Sequence, residues 1–138
     1  MFIDDKELIP IKVYFKKAGY SYEALTASET EAIKMEEKER GKFTELNAKM
    51  NPVNWGTHND MQESAMVEDQ NSGDRRFSVK LYKEGRLKRL LKEWDVVQKE
   101  KPVPINDQNV MRLAPAIAEA ILRAYDEQTT LSEDEENF

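Results

Sequence analysis

Apolar residues follow two rhythms along this chain, one of period two near its start and one of helical period towards its end. Leu87, Leu90, Leu91 and Trp94 recur at i, i+3, i+4 and i+7, which sets four large apolar side chains on one face of a predicted helix. Val110, Leu113, Ile117, Ile121 and Tyr125 form a second stripe, widened by Ala114, Ala118 and Leu122. Between the stripes, Lys101-Pro102-Val103-Pro104-Ile105 is barred from helix, because each proline removes a donor and pushes its predecessor towards extended backbone. The two stripes are therefore expected to be neighbours that close on each other across a stiff bend. Asn106 or Asp107 is a suitable N-cap for the second stripe, but Pro115 is awkward inside a helix. The pattern predicts a short piece over Asp107–Leu113 and a longer helix restarting at Ala114-Pro115 and running to about Glu127, with proline in its first turn.

Nearer the start, Ile9, Ile11, Val13 and Phe15 alternate with Pro10, Lys12, Tyr14 and Lys16, the signature of a half-buried strand. Pro10 confines that strand to an edge or a strand start. Lys16-Lys17-Ala18-Gly19 reads as a turn and Tyr20–Leu25 as the returning strand, giving a β-hairpin over residues 9–25. A lone hairpin is marginal in water, so it must lie on the helices, extend into a larger sheet or pair with another chain, which leaves a homo-oligomer open. Thr26 with Glu29, or Ser28 with Glu31, has capping-box spacing and opens a charged helix up to Arg40 and Gly41. Phe43, Leu46 and Met50 predict a further helical piece ending at Pro52. Residues 51–74 lose periodicity and read as a polar insertion loop with one helical turn near Met61–Val67. Its Trp55, Met61 and Met66 are the candidate partner-binding residues, adaptable side chains on an irregular segment. The expected fold is α+β, mainly α: an N-terminal β-hairpin followed by a small helical bundle, in a single domain over residues 1–127 with an acidic flexible tail at 128–138.

Composition narrows this picture modestly. A chain of 138 residues with 39% hydrophobic residues can fill one core rather than two. The longest apolar-rich run, Leu113–Leu122, contains Pro115 and Glu119 and is far too short to span a bilayer, so the expectation is a soluble protein with no membrane partner. The opening Met1-Phe2-Ile3-Asp4-Asp5 lacks the pattern of a secretory signal. Cysteine is absent, which excludes disulfides and thiolate metal sites. Net charge is −6 and unevenly placed: Met1–Tyr125 carries 21 acids and 21 bases, while six acids and no Lys or Arg follow. Such a tail reads as a solvated end, or as a docking peptide for a basic partner.

Candidate chemistry is sparse. His58 is the only histidine, and no nucleophile, orienting group or second imidazole is visible beside it, so it reads as an exposed loop residue rather than a catalytic or metal-binding one. Phosphate-binding glycine loops, nucleophile elbows and zinc-protease motifs are missing. No catalytic residue, metal ligand or cofactor is expected. Arg75, Arg76, Lys80, Lys83, Arg86, Lys88, Arg89 and Lys92 meet only Glu84 as counter-charge within their span, and Phe77 and Tyr82 are interleaved, so the Arg75–Lys92 run could form a phosphate-binding surface. Lysine and arginine stems also flank apolar helix faces with their charges in water, and that reading, or contact with an acidic protein, is favoured over nucleic acid. Leu87, Leu90, Leu91, Trp94, Val110, Leu113, Ile117, Ile121 and Tyr125 are the predicted structural core.

The order of hairpin, charged helix, Leu90-Leu91-Lys92-Glu93-Trp94-Asp95, Lys101-Pro102-Val103-Pro104-Ile105-Asn106, Asn109-Val110, Leu113-Ala114-Pro115 and closing helix resembles the small tail assembly chaperones, and related tail-region proteins, of long-tailed bacteriophages and prophages. The resemblance is clearest over Arg86–Tyr125. Related chains often place glycine before the lysine of the turn, where this one has Glu100, and the 51–74 segment has no counterpart. The resemblance implies a non-enzymatic protein that binds the helical tape-measure protein and helps recruit tail-tube subunits, working in the cytoplasm of an infected bacterium. Two alternatives stay open: a minor structural protein retained in the virion, and a nucleic-acid-binding regulator using the Arg75–Lys92 run.

Overall fold

The computed structural model describes residues 1–33 and 35–130. In chain order the elements are β1 (Ile9–Ala18), β2 (Ser21–Thr26), α1 (Ala27–Ala32), α2 (Glu37–Arg40), β3 (Thr44–Met50), α3 (Trp55–Ser64), β4 (Met66–Glu68), β5 (Arg75–Phe77), α4 (Val79–Leu90), β6 (Leu91–Trp94), β7 (Val97–Gln98), β8 (Lys101–Pro102), α5 (Asp107–Met111) and α6 (Pro115–Thr129). Of the described residues 40% are helical and 29% are strand, so the fold is mixed α/β, and the expectation of a mainly helical bundle is wrong. A four-stranded antiparallel sheet of order β2-β1-β3-β6 is its centre, with the small ladders β4-β5 and β7-β8 beside it.

The hairpin forms, but its turn is Gly19-Tyr20 rather than Lys16–Gly19: β1 continues through Lys16–Ala18, with Val13 opposite Thr26 and Ala18 opposite Ser21. Gly19, at φ +64, supplies the left-handed turn residue that a side chain rarely adopts. Because the ladder with β2 begins only at Val13, Pro10 lies where β1 is locally an edge and pairs with Lys49 of β3 alone. The predicted helix through Phe43, Leu46 and Met50 is instead β3, whose Leu46, Ala48 and Met50 all point into the core on alternate positions. The charged helix is broken into α1 and α2. Its start is the Thr26 capping box: Thr26 Oγ1 accepts from the Glu29 amide, and Glu29 accepts from the Thr26 amide.

The Leu87–Trp94 stripe crosses a change of structure. Leu87 and Leu90 end α4, while Leu91–Trp94 is β6, paired with β3 at the sheet's far side, so Trp94 is a strand residue and not the last turn of a helix. The second stripe is helical as expected and breaks at the predicted place, with Asn106 capping α5 and Pro115 at the start of α6. Its main partner is the sheet: Ile117, Ala120, Ile121, Leu122, Ala124 and Tyr125 are buried with Ile11, Val13, Leu46, Ala48 and Met50 in one cluster that also takes in Leu87, Leu90, Leu91 and Val110. Two seams closing on one another therefore gives way to a helix laid across a sheet, with α4 alongside. Residues 128–130 belong to the end of α6 and the turn after it; the rest of the acidic tail, 131–138, lies outside the described residues.

The 51–74 segment also departs from expectation. Asn54 caps α3 through a bond from the Thr57 amide to its side chain, 2.8 Å, and β4 then pairs with β5, Met66 opposite Phe77. Ten residues of helix stand where a polar loop was expected.

Candidate binding surfaces

Three side-chain bonds fix α4 and α5, which wall an open apolar groove. Ser78 Oγ accepts from the Leu81 amide at 3.2 Å and starts α4. Asn106 Oδ1 accepts from the Asn109 amide at 2.8 Å and starts α5, while Asn109 Nδ2 donates to the Pro104 carbonyl. The groove between α4 and the α5–α6 corner has a volume of about 370 Å³. Its floor is Leu87, Val110 and Leu122, and its mouth is flanked by Val79 and Met111, which are 58% and 52% exposed. Lys83 Nζ reaches Glu119 at 2.9 Å and ties α4 to α6 across it, with Lys80 and Glu84 at the rim. Along α4 from Val79 to Leu87 the groove runs two helical turns, about 12 Å.

A second cleft of about 370 Å³ opens between α3, the end of α6 and the Tyr82/Arg86 edge of α4. His58 and Met61 line it from α3, Tyr82 and Arg86 from α4, and Tyr125 and Thr129 from α6, with Ile3, Ile9 and Val53 completing the wall. The spacing is helical in each case, i to i+3 or i+4, so three helices each present one edge. Arg86 pairs with Asp126 and lies 5.7 Å from the Tyr82 ring centre and 5.4 Å from that of Tyr125. Tyr125 donates its hydroxyl to the Asn51 carbonyl at 3.1 Å; burial pushes that phenol above its ordinary value, with Asp126 and Tyr82 adding to the rise and the Arg86 charge opposing it. His58 is thus a half-buried helix residue in a cleft, not an exposed loop histidine.

The candidate partner-binding residues are not brought together as one surface. Trp55 is 81% exposed at the start of α3 and remains available. Met61 is buried at 3% and belongs to the core, because α3 packs its His58/Met61 edge inward; Met66 is half-buried in the β4–β5 ladder. Nor is the basic run a continuous cationic face. Arg75 pairs with Glu63, Lys83 with Glu119 and Arg86 with Asp126, and Arg89 donates to Ser64 at 3.0 Å. Counter-charges come from α3 and α6, far away in sequence. Arg76, Lys80, Lys88 and Lys92 make no ion pair with a described residue.

Val79 and Met111 escaped the sequence reading. The available signal was that Val79, Lys83 and Leu87 lie on one row of a helix, which extends the Leu87 stripe backwards by two turns. No helix among the described residues is long and apolar enough to cross a membrane. Comparison with protein-family models, curated proteins and solved structures finds no match to this chain.

Proposed function

We propose that this chain is a non-enzymatic assembly chaperone or adaptor of a long-tailed bacteriophage, which covers the apolar stripe of the tape-measure protein and helps bring tail-tube subunits to it in the host cytoplasm. The observation that carries the reading is the open apolar groove between α4 and the α5–α6 corner, with Val79 and Met111 facing water on its two sides. Its two-turn length suits a client helix that contributes residues at i, i+3 or i+4, and i+7. Most of the groove comes from Arg86–Tyr125, the stretch in which the resemblance to tail assembly chaperones resides. Exposed Trp55 offers a second contact for a tube subunit.

Co-expression with tape-measure and tail-tube proteins tests this. A soluble complex is expected with the native chain, and it is lost when Val79→Glu and Met111→Glu are combined, while the melting temperature of the unbound chain stays close to native because both positions are exposed. Failure of the native chain to associate with either protein overturns the reading. Recovery of the chain in purified particles by mass spectrometry turns it into the virion-component alternative. A nucleic-acid regulator working through Arg75–Lys92 has less support, since three of those charges are already paired within the fold; retention on DNA that weakens steeply with salt would revive it.

A further inference from the structure

We infer that the cleft lined by His58, Tyr82, Arg86 and Tyr125 is a binding site for a small organic carboxylate with an apolar body. Its volume, about 370 Å³, is that of a small-ligand pocket, and it uses the Tyr82/Arg86 edge of α4, whose residues take no part in the groove. One part of the wall is hydrocarbon, from Ile9, Val53 and Met61; the other carries donors. That division suits a molecule with one apolar and one anionic end.

The Arg86 side chain is the anchor. It is only 12% exposed, and two tyrosine rings 5.7 and 5.4 Å away hold it in place, so little conformational freedom is left to lose on binding. A guanidinium carries five N–H donors in a planar fork suited to gripping both oxygens of a carboxylate. Its bond to Asp126 is made through Nη2 alone, and the Asp126 side chain is 56% exposed. Asp126 is not part of the cleft wall, and a half-exposed carboxylate bonded to the anchor is a placeholder that an incoming carboxylate can displace into water. His58, on the α3 wall, adds a ring that can donate to the same anion.

The sole histidine of the chain is also the reporter for the test. The ring resonances of His58 are followed by NMR at constant pH while phenylacetate is added to the full chain. Saturable movement is expected with phenylacetate, and at least about tenfold weaker binding with neutral phenylacetamide, the difference one charge-assisted contact makes. Replacing Asp126 by Asn weakens the competitor and is expected to tighten phenylacetate about threefold, the scale of a half-exposed ion pair; a purely structural Arg86–Asp126 pair predicts no gain. Arg86→Gln abolishes binding if it folds, and Asp126→Asn decides the matter if it does not. Unmoved His58 resonances, equal binding of the amide, or unchanged or weaker binding to Asp126→Asn would each overturn the assignment.

Discussion

The two faces of the central sheet are made by the same strands and held by different forces. On one, Ile11, Val13, Leu46, Ala48 and Met50 are buried under α6; on the other, Lys12 pairs with Glu45 at 2.9 Å, Lys16 with Glu23 at 3.4 Å and Lys49 with Glu93 at 3.5 Å. Every one of those ion pairs is wet, and such pairs contribute little, whereas each buried aliphatic side chain contributes on the order of 1.5–3 kcal/mol. The covered face therefore holds the fold, and the charged face favours one strand register by setting opposite signs across from each other. Substitutions that should be costly on one face and nearly silent on the other test that division.

Ile121→Ala is expected to have the largest effect. Ile121 is fully buried on α6 against the sheet, and its truncation should cost about 2–5 kcal/mol, read as a lowered midpoint in urea with an unchanged slope. A loss well under 1 kcal/mol would mean that α6 is not what holds the covered face.

Next is Thr26→Val at the sheet's end, where a buried polar group joins strand, helix and α6. Thr26 Oγ1 accepts from the Glu29 amide at 3.2 Å and donates to Glu127 at 2.9 Å. Valine keeps the shape and removes both bonds, at a cost of about 1–2 kcal/mol in thermal or urea melts.

How far these elements could be read from the sequence depends on whether one period explained a segment alone. β1 was legible because Ile9, Ile11, Val13 and Phe15 admit no helical reading. α6 was legible because Ile117, Ile121 and Tyr125 keep one face over more than two turns and Pro115 marks its start. Around β3 the three large residues Phe43, just before the strand, Leu46 and Met50 fit i, i+3 and i+7, and the alternation through small Ala48 carried less weight, so strand was read as helix. Leu90 and Leu91 are both buried because the chain turns from helix to strand between them, a junction that periodicity alone reads as one continuous face. α3 is rich in residues that are poor at forming helix by themselves, Gly56, Thr57 and Asn59 among them; its Asn54 cap and the packing of Met61 override propensity. The same packing hid the His58 cleft, whose members come from three separated helices, and the counter-charges of the basic run.

At the rim, where neither face dictates the backbone, the β7–β8 turn is expected to respond in the opposite direction. Lys99 and Glu100 adopt φ of +50 and +65, the left-handed pair of a two-residue hairpin that favours glycine in its second place. Glu100→Gly should therefore stabilise the chain by about 1 kcal/mol, seen as a raised urea midpoint. Destabilisation would show that the Glu100 side chain makes a contribution beyond the turn.

The acid dependence of stability bears on the covered side through Glu29, whose carboxylate accepts from Arg123 of α6. Burial by itself would raise the Glu29 carboxyl, but the Arg123 hydrogen bond, the Thr26 amide and the guanidinium charge outweigh it and hold it below the ordinary carboxylate value. A depressed folded value means that Glu29 stabilises the native state fully above the unfolded carboxylate range and loses that contribution as pH falls through the folded one. Glu29→Gln should flatten the acid limb of a stability-against-pH curve between those two values and leave the neutral plateau slightly lower. An acid limb identical to native would assign it to other carboxylates.

The smallest effect is expected from Lys12→Ala on the open face. The Glu45 hydrogen bond and charge raise the Lys12 ammonium above its ordinary value, with Tyr14 adding to the rise and burial opposing it. A raised value gives a contribution that is complete below the unfolded lysine range and disappears as pH climbs through the folded one, so at neutral pH it is present in full. It is nevertheless small, because both side chains stand in water where salt screens them. Lys12→Ala should thus change the urea midpoint less than any substitution above, and high salt should abolish the difference. If the loss persisted in salt, the lysine stem would be covering Tyr14 or its neighbours, and the open face would contribute burial as well as charge.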